Sequence, residues 1–235
     1  MIIGAVTSFI VTYETGSHFL GLIAAVISAG LVASLFGLLT QYLLSNQVAT
    51  GLALTLFGLG LASLIGQTYS GISLDAFPVF DVYLLTEIPI IGSLLFNFDY
   101  LIYLSIIIVV SVYYFLNKTK LGLVLTAIGD SHDSAHSLGY SVKMVRLFAI
   151  IFGGSCAGLG GAYLSLVQTP MWVENMTAGR GWIALAIVVF AVWRPLWILV
   201  GAYIFGGITI IQLHIQAVGV NIGAQYMSMM PYLVT

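Results

Sequence analysis

Long apolar runs separated by short polar segments dominate this chain from its first residue to its last. In an α-helix each residue rises ~1.5 Å, so about 20 apolar residues cross the hydrocarbon layer of a membrane with every backbone group paired internally. The pattern therefore predicts an all-α fold, a polytopic transmembrane helix bundle with roughly 6–8 membrane segments. The apolar runs cover roughly residues 1–12, 19–39, 48–66, 100–116, 147–167, 182–193, 196–213 and 226–235.

The run 182–193 is ambiguous, because as a helix it would cover only about 18 Å. Pro195 disfavours a helix that continues through Arg194, so either the span begins earlier, through the residues GRGW, or the helix is broken. Arg194 lies between Trp193 and Trp197, an arrangement typical of an interfacial anchor on the cytoplasmic side. This arrangement favours a full crossing.

The composition agrees with a membrane environment, since 60% of the residues are hydrophobic, 6% are charged and the mean hydropathy is +1.11. So apolar a chain cannot bury its side chains in one water-soluble core, and lipid must therefore surround most of it. The chain has no basic run, which argues against a nucleic-acid partner. The single cysteine, Cys156, cannot form a disulfide within the chain and is interpreted as a packing residue.

Basic and acidic residues are segregated between two loops, and this segregation predicts the orientation of the chain. Short cytoplasmic loops collect Lys and Arg, so the segment 117–146, with four of the six basic residues, is predicted to be cytoplasmic. The segment 67–99 carries four acidic residues and no basic residue, so it is predicted to face outward. The basic residues are Lys118, Lys120, Lys143 and Arg146, and the acidic residues are Asp75, Asp81, Glu87 and Asp99.

Small residues are concentrated where helices would touch each other. Gly154 and Gly158 lie one turn apart in the run GGSCAGLGGAYLS, which predicts the close approach of another helix backbone. The chain is therefore expected to form a tightly packed bundle.

The predicted spans carry few groups that could do chemistry. An intramembrane enzyme would need clustered acids, bases or nucleophiles, and an ion-coupled carrier would be expected to hold an Asp or Glu at membrane depth. The runs offer little beyond Gln212 and His214 near one end of a span. The phosphate-binding pattern G-x4-G-K-[ST] is missing from the sequence. We therefore predict no catalytic residues, no cofactor and no enzymatic activity, and active transport would draw its energy from another chain.

The polar stretch GDSHDSAHSLGY, residues 129–140, contrasts with its apolar surroundings. If it is helical, His132 and His136 lie on one face with Asp133 nearby, a spacing that could hold a metal ion. A single exposed helix would leave that metal open to water and no second ligand set is evident, so no metal site is predicted. A solvated loop is a second interpretation. The third is a short docking helix of about eight residues with Asp130 as its N-cap and Gly139 at its C-terminus.

The stretch TAIGDSHDSAHSLGYSVKMVRLFAIIFGGSCAGLGGAYLSL, residues 126–166, resembles the cytoplasmic EAA-type loop and following helix of ABC importer permeases. The similar branch includes branched-chain amino acid, ribose and nucleoside systems, in which this loop forms a coupling helix that fits a groove on the ATPase subunit. Of the EAA-x3-G pattern, Ala135 and Gly139 are kept, whereas no glutamate is present. The resemblance implies ATPase coupling through Asp130, Ser131, His132, Asp133, Ser134, Ala135, His136, Ser137, Leu138 and Gly139.

Four further stretches resemble nucleoside or simple-sugar permeases that work with a basic-membrane-lipoprotein type binding protein: residues 45–66, 86–99 and 179–197, and the terminal MMPYLVT. The resemblance covers essentially the whole chain and implies a single transmembrane permease domain, 1–235. It also implies four partners: a cytoplasmic ABC ATPase subunit, a second permease subunit in a homo- or heterodimer, an extracytoplasmic substrate-binding lipoprotein and the lipid bilayer of a bacterial inner membrane. Such permeases carry about one more helix at the front and the rest of a last span, so the chain is expected to be truncated at both ends.

Neutral polar residues in one run are candidates for the substrate path. Asn46, Gln47, Thr50 and Thr55 lie about one helical turn apart, and a sugar or nucleoside permease needs hydrogen-bonding groups together with aromatic surface. The alternative is that these side chains bond neighbouring helix backbones, as is common in membrane bundles. Trp182 could line the outer mouth, or it could be an interfacial anchor.

Three functional interpretations follow. The first is an ATP-driven permease subunit that works by alternating access, without covalent chemistry of its own. The second is an ion-coupled secondary carrier, which the shortage of intramembrane acids disfavours. The third is a structural membrane subunit that transports nothing.

Overall fold

The computed structural model describes residues 1–75, 77–78, 98–130 and 139–217. Within these ranges the regular secondary structure is helical, and β-pairing is limited to isolated bridges. A 3₁₀ turn at Gln67–Tyr69 extends α3, and a π-helical turn at Leu164–Gln168 extends α6. The helices are α1 (Ile2–Thr15), α2 (His18–Gln41), α3 (Gln47–Gly66), α4 (Tyr100–Lys118), α5 (Lys120–Asp130), α6 (Val142–Tyr163), α7 (Arg180–Phe190) and α8 (Pro195–Ala217).

Four helical stretches in the described part of the chain are long and apolar enough to cross a membrane. They are His18–Gln41, Gln47–Tyr69, Tyr100–Lys118 and Val142–Gln168, and shorter apolar helices occupy Ile2–Thr15, Arg180–Phe190 and Pro195–Ile211. The prediction of a helical, multi-pass membrane protein is therefore confirmed. The predicted total of roughly 6–8 segments is not confirmed, and the run 226–235 lies outside the described residues.

The chain divides into two compact units. The first contains Met1–Leu104 and Lys120–Ala178, and the second contains Ser105–Thr119 and Gly179–Thr235. In the first unit α6 packs against both α1 and α2, which also pack against each other, and α3 lies mainly on α1. The single permease domain 1–235 stays a prediction.

Glycines allow the backbone of α6 to lie close to those of α1 and α2. A Cβ atom added to Gly158 would lie 2.7 Å from the Cβ of Ala29, and one added to Gly4 would lie 2.6 Å from the Cα of Gly158. Gly154 faces Ala33 in the same way. The predicted close approach at Gly154 and Gly158 is therefore confirmed, and it occurs on the side of α6 that meets α2.

Trp172 closes one end of the first unit. Its side chain is 1% exposed and lies over Gly66, where an added Cβ would lie 2.5 Å from Cε2 of the indole ring. The adjoining backbone is held by a parallel bridge between Ser70 and Trp172 and by the Leu74 amide, which donates to the Pro170 carbonyl at 2.8 Å. The segment after α6 is thus tied to the segment after α3.

The segment 117–146 contains a helix, α5, that the sequence analysis did not predict. Its residues LGLVLTAI form an apolar run that is too short to be a span and was therefore treated as loop. The run is apolar because Ile128 is buried against Val142 at the start of α6, with Val124 packed on the same contact. The start of α6 at Val142 also precedes the predicted apolar run, which began at residue 147.

In the second unit, α7 and α8 are joined by a sharp turn. Pro195 is the first residue of α8, a position that suits its fixed φ angle and missing N–H group. Val192 and Trp193 both have left-handed φ angles, 48° and 60°. α7 begins at Arg180, as the GRGW interpretation required, but it ends at Phe190 and is only about 16 Å long. The full crossing that the Arg194 arrangement favoured is therefore not confirmed.

We expect opposite effects from two alanine substitutions on α6. Gly158→Ala should lower the free energy of unfolding by about 1–3 kcal/mol, because the new Cβ overlaps the neighbouring helix. Gly153→Ala should leave it unchanged or raise it by up to ~1 kcal/mol, because alanine favours a helix over glycine and, apart from its chain neighbours and the backbone of its own helix, no described atom lies within 4 Å of the added Cβ. Thermal unfolding of the purified protein in detergent measures both, and equal shifts would contradict the close approach at Gly158.

Candidate functional site

The C-terminal end of α2 contacts the N-terminal end of α6, next to the predicted cytoplasmic loop. The Lys143 ammonium nitrogen lies 5.7 Å from the centre of the Tyr42 ring, within range of a cation–π interaction. The Tyr42 hydroxyl donates to the Met144 sulfur at 3.3 Å. Tyr42 caps α2 and the other two residues lie in the first turn of α6. These contacts tie the C-terminal flank of the predicted cytoplasmic loop to α2.

A second set of contacts joins α5 to α6. Ile128 and Val142 are both buried, and they pack against each other. The Arg146 guanidinium donates to the Ile128 carbonyl at 3.5 Å, near the C-terminal end of α5, where a cation is favoured by the helix dipole. Residues 131–138 therefore lie, along the chain, between two helices that pack against each other.

Only the two ends of the predicted coupling segment are described. Gly139 has a φ angle of 81°, a left-handed conformation that glycine adopts without steric cost, and the helix predicted before it lies outside the described residues. Asp130 is the last residue of α5, which begins at Lys120. An N-cap residue is not helical, so the prediction of Asp130 as an N-cap is wrong; the apolar run of α5 carries the helix through this position. Ser131, His132, Asp133, Ser134, Ala135, His136, Ser137 and Leu138 lie outside the described residues.

The candidate substrate-path residues on α3 make local hydrogen bonds. Asn46 is the N-cap of α3, and its Oδ1 accepts from the backbone N–H groups of Val48 at 3.0 Å and Ala49 at 3.1 Å. Thr50 shares a 2.8 Å hydrogen bond with Ser45, and the Thr55 hydroxyl donates to the Gly51 carbonyl at 2.8 Å. Gln47 is exposed at the start of the helix.

Trp182 belongs to the second unit, in the first turn of α7. Its side chain is 69% exposed, as is usual for an aromatic anchor at a membrane interface. The path role of Trp182 and of the α3 residues stays a prediction.

The structure reveals buried and half-buried polar contacts inside the bundle that the sequence analysis did not single out. Ser8 and Ser165 are fully buried and their hydroxyl oxygens lie 3.1 Å apart, and the Ser165 hydroxyl also donates to the Ala5 carbonyl at 2.9 Å. Thr7 and Ser28 share a 2.7 Å hydrogen bond between α1 and α2. The signal that could have found them is the placement of small hydroxyl residues among the glycines and alanines of the packing faces.

The opposite end of the first unit carries acidic groups. The Tyr69 hydroxyl donates to the Glu14 carboxylate at 2.8 Å, and the Ser63 hydroxyl donates to the Glu174 carboxylate at 2.5 Å. The ring of Tyr69 packs edge-on against Tyr13, with centroids 5.7 Å apart. Acids therefore lie at one end of this unit, and Lys143 and Arg146 lie at the other.

Nothing in the described ranges assembles into a reactive centre. No group of three or more His, Cys, Asp or Glu residues is close enough there to hold a metal ion. Several buried or half-buried hydroxyls bond each other or backbone carbonyls, whereas the buried Thr12 Oγ1 and His18 Nδ1 atoms have no hydrogen-bond partner among the described residues. Such an arrangement can pack helices and contact a neutral solute, but it supplies no nucleophile with an adjacent base.

The family described as "branched-chain amino acid transport system / permease component" matches residues 1–235 of this chain. The chain therefore belongs to this permease family, and the suspected membership is confirmed.

Several curated proteins are similar to the chain over most of its length. A candidate glucose ABC transporter permease of Haloferax volcanii is 39% identical over 222 residues, which is 92% of this chain and 67% of that protein. A nucleoside ABC transporter permease of Lactococcus lactis and a guanosine ABC transporter permease of Bacillus subtilis are each 27% identical, over 100% of this chain and 78% of theirs. No solved structure matches the chain significantly. The relatives place it in the sugar and nucleoside branch of ABC permeases.

Substitution of Asn46 separates a capping role from a substrate role. Asn46→Ala should lower the free energy of unfolding by about 1 kcal/mol because two backbone N–H groups lose their acceptor, whereas Asn46→Ser keeps an acceptor and should retain stability. If Asn46 is a cap alone, substrate uptake by the Ser variant equals that of the parent. Loss of uptake by Asn46→Ser at unchanged thermal stability would instead show that the amide contacts substrate.

Proposed function

We propose that this chain is the membrane-spanning subunit of an ATP-driven importer that moves a nucleoside or a simple sugar across the bacterial inner membrane by alternating access. The observation that carries the proposal is the family match over residues 1–235. The chain has no phosphate-binding loop, so ATP hydrolysis takes place on a separate ATPase subunit.

The ATPase binds at residues 130–139. Contacts on both sides of this segment support the assignment, because α5 and α6 are packed through Ile128 and Val142 and are therefore able to transmit a force applied between them. Lys143 and Arg146 at the start of α6 support the cytoplasmic location of this end through the preference of Lys and Arg for cytoplasmic loops.

A neutral substrate fits the chemistry of the candidate spans. The four long apolar helical stretches contain no Asp or Glu. Hydroxyl and amide groups can bind the hydroxyls of a sugar or the base of a nucleoside without the cost of a buried charge. The names of the relatives favour the same two substrate classes, since one relative is named for glucose and two are named for nucleosides.

Two further partners complete the importer. A second permease subunit, identical or paralogous, completes the transport path, and a substrate-binding lipoprotein delivers substrate to the outer side. Exposed apolar side chains support a lipid or subunit contact, since Phe19, Leu56 and Ile210 are each about 70% exposed. The acidic end of the first unit, with Glu14 and Glu174, is the outer side in this arrangement.

Reconstitution tests the energy source. The permease is inserted into proteoliposomes with its ATPase and binding protein, and uptake of labelled glucose and labelled guanosine is measured with ATP present. We expect uptake of one of these probes, and we expect it to be abolished when the phosphate-binding lysine of the ATPase is replaced, because that lysine contacts the nucleotide phosphates.

The alternatives predict different results from the same vesicles. Uptake driven by a proton or sodium gradient with the ATPase variant would support an ion-coupled carrier and contradict the proposal. A complex that binds the ATPase but moves neither these probes nor a wider panel of nucleosides and sugars would identify a structural subunit.

A further inference from the structure

α2 and α6 are interlocked over most of their shared length. Ala33 meets Gly154, and Ala29 meets Gly158 so closely that an added Cβ would lie 2.7 Å from the Ala29 Cβ. Nearer the basic end, Gly37 lies against Leu147. The two helices therefore contact each other at successive turns, with small residues of one helix against the backbone or side chains of the other.

Such a contact resists relative motion of the two helices. The two helices lie so close together at each small residue that no side chain can pass between them. Sliding of one helix along the other would therefore require a shift of a whole turn, about 5.4 Å, and the packing would be lost during that shift. A half-buried hydrogen bond adds to this resistance, since the Ser155 hydroxyl on α6 donates to the Val26 carbonyl on α2 at 3.2 Å. The pair is joined by packing and by polar contacts at the same time.

The interlocked pair ends, at the basic side, in a clamp formed by Tyr42, Lys143 and Met144. Lys143 lies 5.7 Å from the centre of the Tyr42 ring, and the Tyr42 hydroxyl donates to the Met144 sulfur at 3.3 Å. The two α6 residues lie four and five positions after Gly139, the last residue of the segment 130–139 to which the proposed function assigns ATPase binding. The clamp is therefore the first described contact between that region and α2.

We propose that α2 and α6 move as one rigid pair during transport and that Tyr42 is a positioning residue, which makes α2 follow the start of α6 when the ATPase acts on residues 130–139. This inference rests on the proposed function for the source of the force. The rigidity of the pair comes from contacts that the structure describes, so the two parts of the inference are tested separately.

The first test joins the two helices covalently. A Cβ added to Gly30 would lie 2.8 Å from the Ser155 hydroxyl oxygen, so a cysteine at each position would bring the β-carbon of one residue close to the sulfur of the other, as a disulfide requires. The variant Gly30→Cys/Ser155→Cys is made in a Cys156→Ser background and oxidised in the reconstituted complex. We expect the disulfide to form and ATP-dependent uptake to stay close to that of the reduced sample.

Loss of uptake on oxidation that is reversed by dithiothreitol would show that the helices move against each other, and it would overturn the inference. Failure of the cysteines to cross-link would contradict the close approach and would overturn it as well. Both results leave the proposed function intact, because uptake in the reduced sample still depends on ATP. Uptake that is independent of the ATPase would instead overturn the proposed function.

The second test measures the number of substrate molecules moved per ATP hydrolysed, a ratio that does not depend on how much protein is folded. Tyr42→Ala removes both clamp contacts and should lower this ratio by about two- to fivefold, the equivalent of one cation–π interaction. Tyr42→Phe keeps the ring beside Lys143 and should retain most of the ratio. Tyr114→Ala, at another exposed tyrosine on α4, is the matched control and should leave it unchanged. A ratio unchanged by Tyr42→Ala, or lowered equally by Tyr114→Ala, would overturn the role of Tyr42.

Discussion

The first unit depends on the close approach of α1 and α2 to α6 at positions where a side chain is missing. In lipid, burial of apolar surface does not drive helices together, so close packing and hydrogen bonds between helices must hold them. Gly158 is central to this packing, because it lies against Ala29 of α2 and beside Gly4 of α1. The same close approach is accompanied by the buried Ser8–Ser165 hydrogen bond and the half-buried Thr7–Ser28 hydrogen bond between helices.

The same packing gives the unit two chemically different ends. At one end, Trp172 fills the space above Gly66 and acidic groups accept hydrogen bonds from Tyr69 and Ser63. At the other end, Lys143 lies against Tyr42 and Arg146 donates to the end of α5. Among the described residues, the buried polar side chains between them carry hydroxyl groups, those of Ser8, Thr12, Thr40 and Ser165, and the four candidate spans contain no Asp or Glu. The chain belongs to the permease family, and the proposed function assigns ATPase binding to the basic end and substrate delivery to the acidic end.

Most helix positions follow from apolar runs, and the exceptions have specific causes. The ends of α2, α3 and α4 lie within about two residues of the predicted runs, because a span must cross the full hydrocarbon layer and its length is therefore constrained. The helix α5 was missed because its apolar residues pack on Val142 and its length serves no crossing. The prediction of Asp130 as an N-cap was wrong because Asp130 is itself the last residue of α5, a helix that the apolar residues before it have already formed.

The sequence by itself determined the membrane environment, the small-residue packing faces, the segregation of charge and the permease family. These properties depend on residue type and order, which a sequence states directly. Only the tertiary structure decided that Asn46 caps α3, that Ser8 bonds Ser165 across 157 positions, and that Trp172 covers Gly66. The last two contacts join residues through the packing of helices, and the apolar pattern of a membrane helix is nearly the same on all sides. The face that a helix turns toward its neighbour is therefore set by shape in three dimensions.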